Sequence, residues 1–170
     1  MAIPAYMWIK SGMDDPAPTS SVEIKGGVAI DGRQGSIEVI AFDHELRIPT
    51  DTMEGKITST RKHEPLVVTK GFDEASPYLY EACAKGKTLE EVEILWYEIN
   101  SGGEEVAYFS HILQNVKITN VTPKMHNCKD LDFERFPHLE SVAFKYDTIK
   151  WTFLDGNIQV IDQWSNKADG

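Results

Sequence analysis

Apolar residues alternate with polar ones along most of the chain, in short segments separated by glycine, proline, asparagine and aspartate. A period of two is typical of β-strands, because successive side chains of a strand point to opposite faces. The segments with this pattern predict about nine strands and a mainly β fold, either a sandwich or a barrel. They span residues 2–10, 22–24, 28–30, 36–48, 62–70, 89–99, 105–121, 138–154 and 158–161.

The first predicted strand is apolar on both faces. Met7 and Ile9 lie on one side, and Tyr6 and Trp8 lie on the other. The strands of an isolated barrel normally alternate between an apolar interior and a polar exterior. The second apolar face must therefore meet a helix, a covering loop or another subunit.

Two of the predicted strands are long enough to bend. Residues 105–121 exceed the usual length of a strand, so we expect a bend or a break near residues 111–115. In residues 138–154 the apolar positions change from even to odd numbers. This change predicts an extra residue, a β-bulge, near residues 147–148.

A single short helix is predicted over about residues 76–86, between two of the strands. The Ser76 hydroxyl is suited to cap its first turn, where Pro77 also fits because its missing N–H is not needed there. Gly86 is expected to end the helix. Because so short a helix does not persist alone in water, it must pack against the β core.

The helical spacing places Leu79, Ala82 and Cys83 on one face, which we expect to be buried against the strands. Glu81 and Lys85 are four residues apart and are expected to form an ion pair on the exposed face. On this interpretation Cys83 is a small buried hydrophobic residue and not a nucleophile.

The segments between the strands are expected to be turns and loops, since they are rich in glycine, proline, asparagine and serine. Residues 11–21 and 49–56 predict exposed polar loops, and residues 100–103 predict a hairpin turn. Residues 122–137 predict a long covering loop, and residues 165–170 predict a frayed tail.

Composition and charge narrow the classes of function. The 170 residues suffice for one domain with a sizeable core, and the net charge of −10 argues against nucleic-acid binding, which depends on clustered lysine and arginine. The start of the chain lacks a basic region followed by a long apolar run, so we expect no signal peptide. No apolar run is long enough for a membrane helix, and we expect no membrane insertion.

Few residues have the pattern of a metal or redox site. His126 and Cys128 are of types that bind zinc, but further ligands at a suitable spacing are absent. Two cysteines do not make a disulfide framework, and we expect reduced thiols. The other histidines are scattered and are expected to be solvated or hydrogen-bonded. They are His44, His63, His111 and His138.

Two alternatives involve carbohydrate chemistry. A carboxylate pair for a glycoside hydrolase could come from either of two acidic runs, although such runs are usually solvated. The two runs are Glu90, Glu91 and Glu93, with Glu91 and Glu93 as the residues to test, and Glu104 and Glu105. Trp96, Tyr97 and Trp151 are expected in the core, with an aromatic platform for a sugar as the other interpretation. The residues alone therefore predict a β protein with no catalytic residues, no cofactor and no metal, and they leave open a monomeric barrel that binds a small ligand in its mouth.

Eight short blocks of sequence, in this order and spacing, resemble the haemolysin-coregulated protein family, Hcp, the tube subunit of the bacterial type VI secretion system. They cover nearly the whole chain, although the resemblance is weakest at residues 14–20. The blocks are residues 1–6 (MAIPAY), 35–39 (GSIEV), 48–51 (IPTD), 55–56 with 60–65 (GK and TRKHEP), 76–80 (SPYLY), 96–97 (WY), 125–126 (MH) and 146–157 (YDTIKWTFLDGN).

The resemblance implies a two-sheet closed β-barrel with one short flanking α-helix, forming one domain over residues 1–170. It implies a structural subunit and not an enzyme. Six copies would form a ring, and stacked rings would form a phage-tail-like tube that holds small effector proteins. The implied partners are further copies of the chain, the spike, sheath and baseplate components, and the effectors. The subunit would reside in the bacterial cytoplasm before firing and then be secreted without a signal peptide.

The loop within residues 49–62 is the candidate contact between subunits or rings, because it is polar, connects two long strands and carries part of the resemblance. The alternative is a mobile surface loop. The candidate contact residues are Pro49, Thr50, Asp51, Thr52, Lys56, Thr60, Arg61 and Lys62.

Overall fold

The structure, a computed structural model, describes residues 2–11 and 23–164. The predicted loop at residues 11–21 therefore lies outside the described residues, apart from Ser11, which ends a strand. The predicted tail at residues 165–170 also lies outside them. The fold and the candidate site are built from the remaining residues.

Strands dominate the described part of the chain, as the alternating pattern predicts. In chain order the elements are β1 (Ala5–Ser11), β2 (Glu23–Ile24), β3 (Ile37–Val39), β4 (Ala41–Asp43), β5 (Leu46–Arg47), β6 (Lys62–His63), β7 (Leu66–Gly71), α1 (Ser76–Lys85), β8 (Thr88–Ile99), β9 (Glu105–Lys124), a 3₁₀ turn (Leu131–Phe133), β10 (Leu139–Lys145), β11 (Thr148–Phe153) and β12 (Ile158–Gln163).

A single antiparallel sheet runs through neighbouring strands in the order β2, β1, β8, β9, β10, β7 and β4. The β11–β12 hairpin joins it through β9, and β3 joins it through β1. The predicted hairpin at residues 100–103 connects β8 and β9, where Asn100 N–H donates to the Glu104 carbonyl at 2.9 Å. The prediction of a mainly β barrel is confirmed.

One bent segment closes the barrel. Residues 36–48 were expected to form one strand, which is wrong, because the segment changes its partner at Ile40. On one side β3 pairs with β1, and on the other side β4 pairs with β7, while the Ile40 N–H donates to the Thr69 carbonyl at 2.8 Å. The two ends of the sheet are therefore joined by the covalent chain, and in the described residues no ladder pairs β3 with β4.

The alternation of buried and exposed residues shifts by one position in several neighbouring strands, at points that lie side by side in the sheet. In a regular strand, residues three apart point to opposite faces. Each of these strands buries two residues that are three apart, so its alternation must change phase between them. The buried residues on the two sides of the change are Leu89 and Val92 on β8, Leu113 and Val116 on β9, and Tyr146 and Ile149 between β10 and β11.

This shared change explains why the bulge predicted near residues 147–148 is wrong. Lys145 pairs with Lys117 and Thr148 pairs with Gln114, so the register against β9 is the same on both sides. β9 changes phase with its partner at Asn115, whose φ of 51° is left-handed, and it continues without a break. The register shift between β9 and β10 lies instead between Ala143 and Phe144.

The segment between β2 and β3 is a loop, and the strand predicted at residues 28–30 is wrong. A side chain anchors this loop: the Arg33 guanidinium lies 3.9 Å from the centre of the Tyr97 ring and 2.7 Å from a Glu105 carboxylate oxygen. Tyr97 was expected in the core, but it lies outside the core cluster, under this arginine. Backbone hydrogen bonds also order this loop, since the Gly26 N–H donates to the Gly35 carbonyl at 2.9 Å. Alternation of residues along the chain reveals neither kind of contact.

The helix α1 follows the prediction except at its first residue. Gly86 ends it in the left-handed conformation with φ of 64°, and the Glu81 and Lys85 side chains pair at 2.8 Å. Ser76 was expected to cap the helix, which is wrong, because Ala75 occupies that position without a side-chain cap. The Ser76 hydroxyl instead donates to Glu140 at 2.6 Å.

A buried polar cluster, here called the helix-foot cluster, holds the start of α1 on β7 and β10. Lys70 and Glu140 are fully buried and form an ion pair, and Lys70 also contacts Asp73 at 3.0 Å. The Ser76 and Tyr80 hydroxyls donate to the two Glu140 oxygens. Because every carboxylate oxygen of Glu140 has donors, its charge is compensated within the core.

The apolar core fills the interior of the barrel. Leu79 and Ala82 of α1 are buried in it and Cys83 packs against it, which confirms the predicted helix face. Trp96 and Trp151 also pack against the core, as expected. Besides Leu79, the largest fully buried apolar side chains are Met7, Ile9, Ile37, Leu66, Leu89, Ile94, Leu113, Phe144 and Ile149.

Candidate functional site

The predicted polar loop is an ordered projection, here called the arm, comprising residues 46–63. At its root β5 pairs with β6, and further out Thr50 bridges Ile57. Two hydrogen bonds close its turn. The Asp51 N–H donates to the Lys56 carbonyl at 2.7 Å, and the Met53 N–H donates to the Asp51 carboxylate at 2.8 Å. The arm is therefore a hairpin held by its own backbone.

Apolar side chains project from this arm into solvent. Met53 at the turn is 91% exposed and Ile57 is 70% exposed. Ile48 and Leu46 continue the apolar surface toward the root, at 54% and 46% exposed. Exposure of a large apolar side chain to water is unfavourable. Several such side chains exposed together on one ordered element are therefore typical of a contact surface.

The predicted contact residues fall into two groups. Pro49, Thr50, Asp51, Thr52 and Lys56 all lie on the outer part of the arm. Asp51 shapes the turn, and the Pro49 carbonyl accepts from the Thr58 N–H at 3.0 Å. Lys56 pairs with Glu54 at 3.0 Å.

The second group lies at the root, where Thr60 and Lys62 are exposed and Arg61 turns back onto the barrel. There Arg61 binds β12, with its Nε 2.7 Å from an Asp162 carboxylate oxygen and one Nη 2.8 Å from the Gln163 carbonyl. Arg61 thus makes these hydrogen bonds within its own subunit, and not to a neighbouring one.

The root of the arm is fixed by five connected side chains, here called the base cluster: His44, Arg61, His63, Tyr146 and Asp162. The Tyr146 hydroxyl lies 2.9 Å from His44 Nε2 and 2.5 Å from His63 Nδ1. The other nitrogen of His63 lies 2.6 Å from the Asp162 carboxylate that also binds Arg61. The His63 side chain is only 3% exposed.

The electrostatics of the base cluster follow from its burial and its single carboxylate. The hydrogen bond from Arg61 holds the pKa of Asp162 below its ordinary value. Burial, with the neighbouring His63, lowers the pKa of His44. Burial raises the pKa of Tyr146 above its ordinary value, so this hydroxyl keeps its proton at neutral pH.

Sequence reasoning missed the base cluster as a unit. Its histidines were expected only to be solvated or hydrogen-bonded one by one, and Tyr146 and Asp162 were not singled out. The pairs join residues 83 to 102 apart in sequence. One signal was present, because Asp162 is the single charged residue of the strand Ile158–Gln163.

A second exposed apolar surface, here called the aromatic loop, comprises residues 125–137. Met125 is 65% exposed, Leu131 is 84% exposed and Phe136 is 50% exposed. His126, considered above as a zinc ligand, stacks on Phe136 with ring centres 4.6 Å apart and on Phe133 at 4.9 Å. In residues 2–11 and 23–164 no three histidine, cysteine or acidic side chains are placed to hold a metal ion.

The arm and the aromatic loop lie at opposite ends of the sheet formed by β7, β10 and β9. Leu66, just after the arm, pairs with Phe144, whereas Gly71 pairs with Leu139, just after the aromatic loop. The six residues of β7 span about 17 Å between these ends. Exposed apolar surfaces thus occur at both poles of the subunit.

The remaining described parts of the chain include one α-helix, which is far too short for a transmembrane helix. Glu91 and Glu93 lie on one face of β8, half-buried, where Lys10 approaches Glu91 at 3.7 Å. Burial, with the neighbouring Glu91, raises the pKa of Glu93.

Comparison with known proteins places these features in a family. A family model described as "Type VI secretion system effector, Hcp" matches residues 6–153. The "Major exported protein" of Pseudomonas aeruginosa is 36% identical over the full length of both chains. A solved structure of the Hcp1 protein from E. coli is 45% identical, with a TM-score of 0.83, over 96% of this chain and 99% of that one. The secreted protein Hcp3 from Pseudomonas aeruginosa is 30% identical, with a TM-score of 0.75 over the same shares.

Proposed function

The chain belongs to the Hcp family of type VI secretion proteins, and on this basis we propose that it is a structural tube subunit, six copies of which form a ring. Stacked rings form the tube, and the arm is the contact between them. In this role the chain acts as one domain over residues 1–170 and performs no catalysis.

The observation that supports this proposal most directly is the arm itself. It is ordered by its own hydrogen bonds, yet it leaves Met53 at its turn 91% exposed and Ile57 beside the turn 70% exposed. Side chains of this kind are stabilised when a partner removes them from water, by about 25 cal/mol for each Å² of apolar surface. The arm therefore suits a contact that the isolated subunit does not make.

The position of the aromatic loop supports a head-to-tail contact. When a surface at one pole of a subunit binds a different surface at the opposite pole of the next subunit, each end of the assembly keeps one of the two surfaces unbound. Such a heterologous contact adds subunits without limit along one direction, as a tube requires. We take the aromatic loop as part of the surface that receives the arm of the next ring, with Met53 against its aromatic rings.

The remaining partners are proposed from family membership. Spike, sheath and baseplate components would contact the ends and the outside of the tube, and small effector proteins would occupy its lumen. The subunit would reside in the bacterial cytoplasm before firing and leave the cell with the tube.

The test is to change the apolar surface of the arm and measure assembly in two stages. The double variant Met53→Asp with Ile57→Asp is expected to keep the ring but to lose stacked tubes. The matched control is Ile99→Asp, which changes a comparably exposed residue, 59%, at the end of β8. Light scattering after size exclusion counts copies in the ring, and electron microscopy measures the length of the tubes.

Deletion of residues 51–56 gives a second variant that removes the whole turn and should act in the same way. Tubes of unchanged length from both arm variants would exclude the arm as the stacking contact. A chain that stays monomeric at micromolar concentration would overturn the tube subunit itself, in favour of the monomeric binding barrel.

A further inference from the structure

The base cluster contains two histidines that share one hydroxyl group. Ring protons can be assigned from the partners of each nitrogen. His63 Nε2 faces the Asp162 carboxylate at 2.6 Å, so it carries a proton. In a neutral His63 the other nitrogen then accepts from the Tyr146 hydroxyl, whose oxygen in turn accepts from His44 Nε2–H.

This chain of hydrogen bonds accommodates one additional proton. If His63 takes it, His63 Nδ1–H donates to the Tyr146 oxygen, and the hydroxyl turns to donate to His44. That direction requires a neutral His44 with an unprotonated Nε2. The cluster is therefore fully hydrogen-bonded with neither histidine charged or with one charged.

A second additional proton breaks the arrangement. Both imidazolium rings then direct an N–H at the Tyr146 oxygen, and the hydroxyl proton has no acceptor left between them. The ring centres of His44 and His63 are 6.5 Å apart, so two positive charges also repel in a partly buried site. Separation of the arm root from the barrel relieves both effects.

The charged and titratable groups around the pair do not remove this conflict. Asp43 lies beside His44 and favours its charged form, but less than burial and His63 oppose it. The Asp162 carboxylate beside His63 is already shared with Arg61.

On the side of β9, the His111 ring contacts Phe42 at a tilt of 50°, with ring centres 5.1 Å apart, and Phe42 in turn contacts His44. Burial, with the nearby His44, lowers the pKa of His111 to about 4, so it stays neutral in mild acid. His111 therefore adds no positive charge beside His44 and His63 in mild acid.

We propose that the base cluster is an acid-sensitive latch, which fixes the arm to the barrel while at most one of His44 and His63 is protonated and releases it when both are. The latch regulates the contact surface assigned under the proposed function, and its consequence for tubes rests on that function. The release itself takes place within one subunit and is measurable without tubes.

The direction of the pH effect follows from linkage. In the latched state the pKa of His44 lies below its ordinary value, and release into water restores that value. The released state thus binds the proton more tightly. Falling pH must shift the population toward release.

The experiment uses methyl NMR on the full chain, with ¹³C-labelled methionine and isoleucine. The Met53 and Ile57 methyl groups report the arm, and the buried Met7 and Ile9 methyl groups report the barrel. Between about pH 7.5 and about pH 5 we expect the arm signals to shift or lose at least about half of their intensity, while the barrel signals stay unchanged.

Three variants make the test specific. In His44→Gln the amide donates to Tyr146 at every pH, so the arm transition should move at least about one pH unit lower or disappear. In Tyr146→Phe the shared hydroxyl is absent, so the arm at about pH 7.5 should resemble the wild-type arm at about pH 5. In the control His138→Gln, far from the arm, the wild-type transition should remain.

Arm signals that do not change with pH in the wild type would overturn the latch. So would the wild-type transition persisting in His44→Gln, or arm and barrel signals that change together, which would indicate global unfolding. Failure of the proposed tube function leaves these signals unaffected, because they are read on the subunit.

Discussion

The helix-foot cluster and the base cluster both tie a peripheral element to the barrel through a carboxylate, but they differ in what neutralises it. Glu140 is paired with a fully buried lysine and also accepts from the Ser76 and Tyr80 hydroxyls. Asp162 is bound by Arg61 at the surface and by His63, one of the two histidines of the proposed latch. The comparison suggests that the helix is attached permanently and the arm conditionally.

The largest expected effect comes from breaking the buried pair. Lys70→Met leaves the Glu140 charge in the core without its partner, and removal of one member of a buried pair costs about 3–5 kcal/mol. Urea unfolding measures the loss. The double variant Lys70→Met with Glu140→Leu should regain part of it, because the uncompensated charge is gone. A single-variant loss below about 1 kcal/mol would show that the pair is not what fixes the helix foot.

The next effect separates the polar attachment of the helix from its apolar face. Leu79 is fully buried, so Leu79→Ala removes methyl groups and leaves a cavity, at a cost of about 2–5 kcal/mol. Tyr78→Ala, on the exposed side at 58%, is the matched control. Equal and small losses in the two variants would mean that the helix-foot cluster alone holds α1.

The smallest effect is a difference between the pH ranges in which the two clusters stabilise the fold, and it amounts to about 1.4 kcal/mol for each unit by which a pKa is displaced. Burial alone would raise the pKa of Glu140, but the hydrogen bonds that it accepts from Lys70 and two hydroxyl groups hold that pKa below its ordinary value. The contribution of Glu140 to the free energy of unfolding is complete above the pKa that this group has in the unfolded chain, about 4.3, and it is lost as the pH falls below that value. Because the pKa of His44 is lowered in the fold, the contribution of His44 to the free energy of unfolding is complete above about pH 6.5 and is lost as the pH falls below that value.

Thermal unfolding measured from about pH 8 to about pH 3 should therefore show two decreases in stability, a shallow one below about pH 6.5 and a second below about pH 4.3. Glu140→Gln should reduce the second decrease, and His44→Gln should reduce the first. Exchange of these two assignments would mean that the two clusters have the opposite pH dependence.

Local signals explain which parts of the fold could be predicted. The helix follows from Pro77, Gly86 and the spacing of its apolar face, all within a dozen residues. The family resemblance was also visible in short blocks and is confirmed. The partner change at Ile40 was not predictable, because an apolar residue at that position fits a continuous strand equally well.

The position of the arm along the chain could be predicted but its construction could not, and its role as a contact stays a prediction. The segment containing the arm was identified from its polarity, whereas its exposed methionine and isoleucine were not weighed. The fixation of the arm depends on Tyr146 and Asp162, which only the closed barrel brings to its root. Sequence spacing cannot indicate such contacts, since no local pattern connects these residues.

Closure of the barrel by the single segment at residues 37–43 has a consequence for folding. This segment contributes to two ladders at once, one with β1 and one with β7, and it enters the arm three residues later. Neither ladder can separate far without straining the other, so opening at this seam is expected to be cooperative and to accompany loss of the whole barrel. The seam also joins strands that are distant in sequence, which makes its formation a slow, late step. A force applied to the arm would therefore act first on the part of the barrel that forms last.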